Sequence, residues 1–210
     1  MTATAALEVA EIAEKKYTVE AYFELERNST LRHEFVNGKL YKMYGSSRIA
    51  NRIAGNCTLQ LGLVLEDRGY DIIRHDVRTI VRARKNYRYP DLAVAKRSDD
   101  IDSHGVTKPE LLIEMSSINS DNTDNTDNTR NTHNTDKVAE YTALLSLQYY
   151  LVISQEEAIV RVYSRDAQGW RFDIYRDLNQ EIDLKHFDFT LKLSDIYKNV
   201  IFAEAVSDND

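Results

Sequence analysis

Cysteine is almost absent from this chain: Cys57 is the one copy in 210 residues, which excludes an intramolecular disulfide and is compatible with a reducing cytoplasm. Long apolar runs are missing too, and nothing approaches the roughly 18 residues needed to cross a bilayer. The N-terminus, M-T-A-T-A-A-L-E-V-A-E-I-A-E-K-K, has no basic stretch followed by an apolar core, so it does not read as a secretory signal. No helix-turn-helix or zinc-finger pattern is present. Positive charge is in deficit, with 27 Lys and Arg against 34 Asp and Glu and a net charge of −7. This argues against broad, non-specific coating of DNA, because affinity for phosphate comes largely from lysine and arginine.

What remains is the composition of an ordinary globular protein, 42% hydrophobic and 29% charged. The expected organisation is one domain over 1–210, with its core at about 17–200. The chain opens with an amphipathic helix from Tyr17 to Glu26, for which Thr18 is the natural N-cap. Asn37-Gly38 then sits between two β-prone runs, the strongest short hairpin signal, and places Glu34 on the first strand. Residues Ser47 to Arg68 carry Ile49, Ile53, Cys57, Leu61, Val64 and Leu65 at helical spacing, with Gly69 as the stop. Cys57 falls in that apolar stripe and reads as a core residue.

Two β-prone segments follow, Asp71 to Ala83 and Tyr87 to Ala95, with Pro90 marking a strand end or edge. Leu111 to Ser116 is short and apolar enough for a central strand; alternation puts Leu112, Glu114 and Ser116 on one face and Leu111, Ile113 and Met115 on the other. Asn122 to Asp136 consists of five Asn-Thr-X triplets with nothing apolar to bury, so 119–136 reads as a low-complexity surface loop. A short helix begins at Lys137. Strands at Gln148 to Ser154, Ala158 to Ser164 and Trp170 to Tyr175 form a meander, before a strand at Phe187 to Leu193 and a helix from Ser194. The pattern predicts an α/β fold, a mixed β-sheet flanked by helices with an antiparallel meander in the C-terminal half.

Two of these apolar runs each carry a carboxylate, Asp91 heading Y-P-D-L-A-V and Glu114 inside P-E-L-L-I-E-M-S-S. An ionised carboxylate in an apolar strand is costly unless paired. On adjacent strands the two could share a divalent metal, and with a lysine nearby they would have the parts for phosphodiester hydrolysis. Positive charge also collects here: Arg74, Arg78, Arg82, Arg84, Lys85, Arg88, Lys96 and Arg97 face only Asp76 and Asp91. These side chains are either solvated strand edges or a contact for a phosphate backbone.

In their order and spacing R-H-E-F-V-N-G-K-L-Y-K-M, N-R-I-A-G-N, Y-P-D-L-A-V, P-E-L-L-I-E-M-S-S, D-K-V-A-E-Y and S-L-Q-Y-Y-L-V-I-S resemble the Uma2 family of endonucleases, abundant in cyanobacteria and assigned to the PD-(D/E)XK restriction-endonuclease-like fold. The resemblance runs from about Tyr17 to Val200. It implies catalytic Asp91, Glu114 and Lys137; metal ligands Asp91, Glu114 and Glu34 for Mg²⁺ or Mn²⁺; and DNA as partner, contacted by Arg78, Arg82, Arg84 and Arg88. A cytoplasmic homodimer would follow, since cutting both strands needs two sites. Two departures stand out. Ser116 occupies the motif's usual lysine position, with Lys137 on the next helix in its place. The Asn-Thr tract also adds about three triplets before that lysine, a lengthening that costs little in closure entropy. A histidine that many relatives carry is Ala50 here. The alternative reading is a nuclease-fold binding or assembly module without chemistry.

Overall fold

The computed structural model describes residues 16–43, 45–74, 76–81, 85–98, 105–116 and 137–202. The Asn-Thr tract expected at 119–136, and Arg82 and Arg84, lie outside the described residues. Helix α1 (Val19–Asn28) starts at Thr18, whose hydroxyl accepts from the Ala21 amide at 3.2 Å, the expected cap. The hairpin follows as β1 (His33–Val36) and β2 (Lys39–Lys42), with Val36 opposite Lys39. Asn37 and Gly38 make the turn at φ 52° and 85°, the left-handed region that this pair of residues tolerates.

The long helix α2 (Arg48–Leu65) is capped by Ser47 and runs into a 3₁₀ turn at Glu66–Arg68, where Gly69 ends it at φ 84°. The strands in chain order are β3 (Tyr70–Arg74), β4 (Arg78–Val81), β5 (Asn86–Arg88), β6 (Leu92–Lys96), β7 (Gly105–Val106) and β8 (Pro109–Ser116). Helix α3 (137–142) comes next. After it lie β9 (Tyr149–Ser154), β10 (Val160–Asp166), β11 (Gly169–Tyr175), β12 (Glu181–Leu184), β13 (Phe189–Lys192) and the short α4 (Leu193–Ile196). They assemble into a five-stranded sheet ordered β2-β1-β5-β4-β7, a six-stranded sheet ordered β11-β10-β9-β8-β6-β3, and a β12-β13 ribbon.

The architecture is α/β with mixed sheets, as expected. Strand β8 lies inside the six-stranded sheet, parallel to β9 and antiparallel to β6. A parallel pair requires a crossover, and α3 is part of it. Both faces of β8 are buried. Leu111 and Ile113 pack with Ile53, Cys57, Leu61 and Leu65 of α2. On the opposite face Leu112 packs with Tyr141 of α3, Tyr150, Ala93, and Val81 and Val106 of the five-stranded sheet. That second cluster forms the seam between the two sheets.

The β-prone segments expected at 71–83 and 87–95 are each split between the sheets, the second at the strand end that Pro90 was expected to mark. The first breaks where Asp76 and Val77 donate to the Arg74 carbonyl, at 2.6 and 3.2 Å, so β3 and β4 part company. The second breaks at Tyr89-Pro90-Asp91, where proline cannot donate to a ladder. Strands β7 and β12 fall in stretches whose polar residues carried no strand signal.

Gly105 pairs with Arg78 in the short parallel contact that closes the five-stranded sheet, and a Cβ there would lie 2.6 Å from the Arg78 carbonyl oxygen. Gly105→Ala should therefore destabilise the protein by about 1–3 kcal/mol, the usual range for forced overpacking. A thermal melt of the variant beside wild type measures the shift.

Candidate active site

Residues 88–92 carry the chain from one sheet to the other, and the polar groups of the interior gather around that crossing. Arg88 ends β5 and Asp91 precedes β6, while Glu34 arrives on the hairpin strand β1. Glu114 lies on β8 on the same face as Leu112, and α3 presents Lys137 and Tyr141 to it and Glu140 to Arg88.

Arg88 is completely buried. Its Nε and Nη2 donate to Glu140 Oε2 and Oε1 at 2.9 and 2.8 Å, a bidentate pair, and Nη1 donates to Glu34 Oε2 at 3.0 Å. Burial works against the guanidinium's charge, but Glu140 and Glu34 outweigh it and hold the cation firmly protonated. The expectation that Arg88 contacts nucleic acid is thus corrected: it is an internal tie between β1, β5 and α3, with no surface to offer a phosphate. Arg78 is half-buried, its guanidinium 5.0 Å from the Phe23 ring centre and 5.8 Å from that of Tyr22, so it packs on α1.

Lys137 is brought to Glu114 as expected. Its Nζ lies 3.0 Å from Glu114 Oε1 and 3.4 Å from Glu34 Oε1. Burial opposes its charge, yet the two carboxylates prevail and keep it a cation well above the ordinary lysine range. Tyr141 also donates to Glu114 Oε1, at 3.0 Å. Oε2 of Glu114 has no donor among the described residues. Glu34 accepts from the Tyr89 amide at 3.1 Å, from Arg88 and from Lys137, so both its oxygens are engaged. That is the geometry of a counter-ion rather than of the open metal ligand expected from the sequence.

Asp91 Oδ2 accepts from the Met115 amide at 2.6 Å, which sets the carboxylate beside the residue after Glu114. Burial raises Glu114, Lys137 draws it back, and the charges of Asp91 and Glu34 raise it further; the balance lies at about 7, against 4.5 ordinarily. Among the described residues, four carboxylates (Glu34, Asp91, Glu114, Glu140) thus gather with two cations (Arg88, Lys137).

Among the described residues, no three His, Cys, Asp or Glu side chains converge as a ready ligand set. Mg²⁺, however, is commonly held by one or two carboxylates together with waters and substrate phosphates. Asp91 and the second oxygen of Glu114 are of the type that requirement names.

Glu140 and Tyr141 were not singled out from the sequence. Their spacing of three and four residues from Lys137 was the available signal, since it puts all three on one helix face. The support beneath the crossing had none: Glu26 accepts from Tyr89 Oη at 3.0 Å and from the His33 amide at 2.9 Å, linking α1, β1 and the 88–92 segment.

Two measurements probe this network. Arg88→Met should cost about 3–5 kcal/mol, because it strands two buried carboxylates, and adding Glu34→Gln and Glu140→Gln should recover part of the loss in chemical denaturation. The second follows from Glu114. Its folded pKa is raised, so the native state holds the proton more tightly than the unfolded chain does. The resulting stability is fully present below about 4.5 and is lost as pH rises through about 7. In EDTA, wild type should lose stability relative to Glu114→Gln across that window.

Residues 19–194 match the Uma2 family, described as "Putative restriction endonuclease". Two Synechocystis proteins are similar in sequence. Uncharacterized protein sll1609 is 29% identical over 144 residues, covering 67% of this chain and 76% of that protein. Uncharacterized protein slr1290 is 23% identical over 188 residues, covering 89% and 94%. The fold is similar to a crystal structure from Anabaena variabilis, described as a putative nuclease belonging to DUF820. There the TM-score is 0.65 at 15% identity, covering 86% of this chain and 97% of the other. With the family's pattern extending from α1 into α4, across both sheets and the crossing between them, this chain belongs to the Uma2 family.

Proposed function

We propose that the protein is a divalent-metal-dependent DNA endonuclease whose reaction centre is the Asp91–Glu114–Lys137 group. The observation that carries this reading is the buried Lys137 Nζ set 3.0 Å from a carboxylate that Asp91 crowds with like charge. Asp91 and Glu114 would hold Mg²⁺ or Mn²⁺, which supplies a polarised phosphoryl group and an acidified water. Lys137 has the charge and position to neutralise an oxyanion as it develops or to orient the attacking water. Tyr141 fixes the rotamer of Glu114 from below. Arg88 and Glu34 keep Lys137 and α3 in register with β8 and are positioning residues, touching neither substrate nor metal. A homodimer acting in the cytoplasm fits cleavage of both strands.

A second reading, a binding module without chemistry, is favoured by one observation: Lys137 already bridges Glu114 and Glu34, satisfying two of the carboxylates without a metal. Metal linkage separates the two. Millimolar Mn²⁺ should raise the melting temperature of wild type and leave Glu114→Ala unmoved, since a ligand that binds only the folded state stabilises it. No response in wild type would favour the binding module.

For the chemistry itself the informative variant is Asp91→Asn, which keeps an oxygen to accept from the Met115 amide but loses the charge. It should abolish metal-dependent cleavage of plasmid DNA while leaving the melting temperature within a few degrees of wild type. A variant that still cuts would remove Asp91 from the mechanism.

A further inference from the structure

Arg88 is interior and Arg78 packs on α1, so among the described residues the nuclease reading calls for another surface to receive the substrate. We propose that the outer ridge of α2, formed by Arg48, Asn51, Arg52 and Gly55 with Ser46 ahead of it, docks the phosphodiester backbone of duplex DNA, its first turn lying at the end of β8 that carries the reaction centre. This inference rests on the nuclease reading and assigns it a binding surface.

Four observations carry it. Arg48, Asn51 and Arg52 are all exposed and, with Ser46, Gly55 and the exposed Leu59, line an open recess of mixed polar and apolar character on the protein surface. Neither arginine has a carboxylate partner among the described residues, and α2 contains no acidic residue from end to end. In a chain of net charge −7, this is a local concentration of uncompensated positive charge. Arg48 and Arg52 are one turn apart, about 6 Å along a rigid axis, so they present charge at regular spacing to a regularly charged polyanion.

Gly55 is the second observation. Glycine inside a helix costs about 0.5–1 kcal/mol relative to alanine, and here a Cβ would meet nothing within 4 Å, so packing within the protein does not require it. An opening at that point of an exposed ridge lets a sugar-phosphate chain approach the helix backbone.

The third is position. Ser47 Oγ donates to Gln155 Oε1 at 2.5 Å, and the Gln155 amide donates to the Ser116 carbonyl at 3.0 Å, two residues beyond Glu114. The ridge therefore starts at the same end of β8 that holds the reaction centre. Rigidity is the fourth: Asn56 donates to the carbonyls of Ile196 and Lys198 at 2.9 and 2.8 Å, fastening the flank of α2 to α4 and the residues after it.

The test is fluorescence anisotropy of a labelled duplex in EDTA, where cleavage is suppressed, over a series of NaCl concentrations. Wild type should bind with a salt-dependent affinity. Arg48→Ala with Arg52→Ala should lower the magnitude of the log–log salt slope by about 2, near 0.9 for each phosphate no longer neutralised, and weaken binding at low salt at least about tenfold. The melting temperature should not move, because both side chains are exposed. Gly55→Gln should weaken binding several-fold (about threefold or more) with the slope unchanged, since it blocks approach without removing charge. Unchanged affinity and slope in the double variant would overturn the ridge while leaving the nuclease reading intact. Wild type that binds RNA but not duplex DNA would overturn the choice of DNA. Wild type that binds no nucleic acid would overturn both readings.

Discussion

The buried guanidinium of Arg88 is the tie on which the site's arrangement depends. It reaches the hairpin through Glu34 and the crossover helix through Glu140, and its own backbone leads into the segment that passes from the five-stranded to the six-stranded sheet. A buried cation is tolerable only when its donors are answered by acceptors of opposite charge, and here the two carboxylates that answer it come from elements far apart in the chain. Such a network contributes little net stability over an apolar replacement. What it adds is register, because the three elements satisfy one another only in a single arrangement.

From that register follows the electrostatic character of the neighbouring group. Glu34, held by Arg88, lends a second carboxylate to Lys137, and Lys137 reaches Glu114. Asp91 is fixed against the Met115 amide and adds like charge beside Glu114. Among the described residues, two cations face four carboxylates here. Maintaining such an imbalance in a half-dry seam costs folding free energy, and an arrangement of this kind is common where a charged ligand completes the site.

The two sheets divide the labour. The six-stranded sheet carries Glu114 on a strand buried on both faces, which restricts its rotamers and its access to water. The five-stranded sheet and α1 supply the frame that aims the crossing segment, through the Tyr89 and Glu26 contacts and the aromatic packing of Tyr22, Phe35 and Tyr87. Helix α2 lies on the far face of the larger sheet, yet begins at the same sheet end as the proposed reaction centre. One rigid element thereby packs the core with one side and exposes Arg48 and Arg52 on the other.

Local signals in the sequence were enough for the cap at Thr18, the Asn37-Gly38 turn, the core face of α2 with Cys57, and β8 as an interior strand. Each of these depends on a residue's own backbone preference or on the period of its apolar neighbours, which the chain carries in any context. The pairing of Glu114 with Lys137 was legible only through a family resemblance, because the contact spans a long insertion. Pro90 signalled a strand end, but tertiary structure alone decided that the segments around Asp76 and Pro90 divide between two sheets, since which strands pair is set by distant parts of the chain. It also decided that Arg88 faces inward. An arginine in a basic run reads as solvated, and its burial becomes favourable only once Glu34 and Glu140, from distant parts of the chain, converge on it.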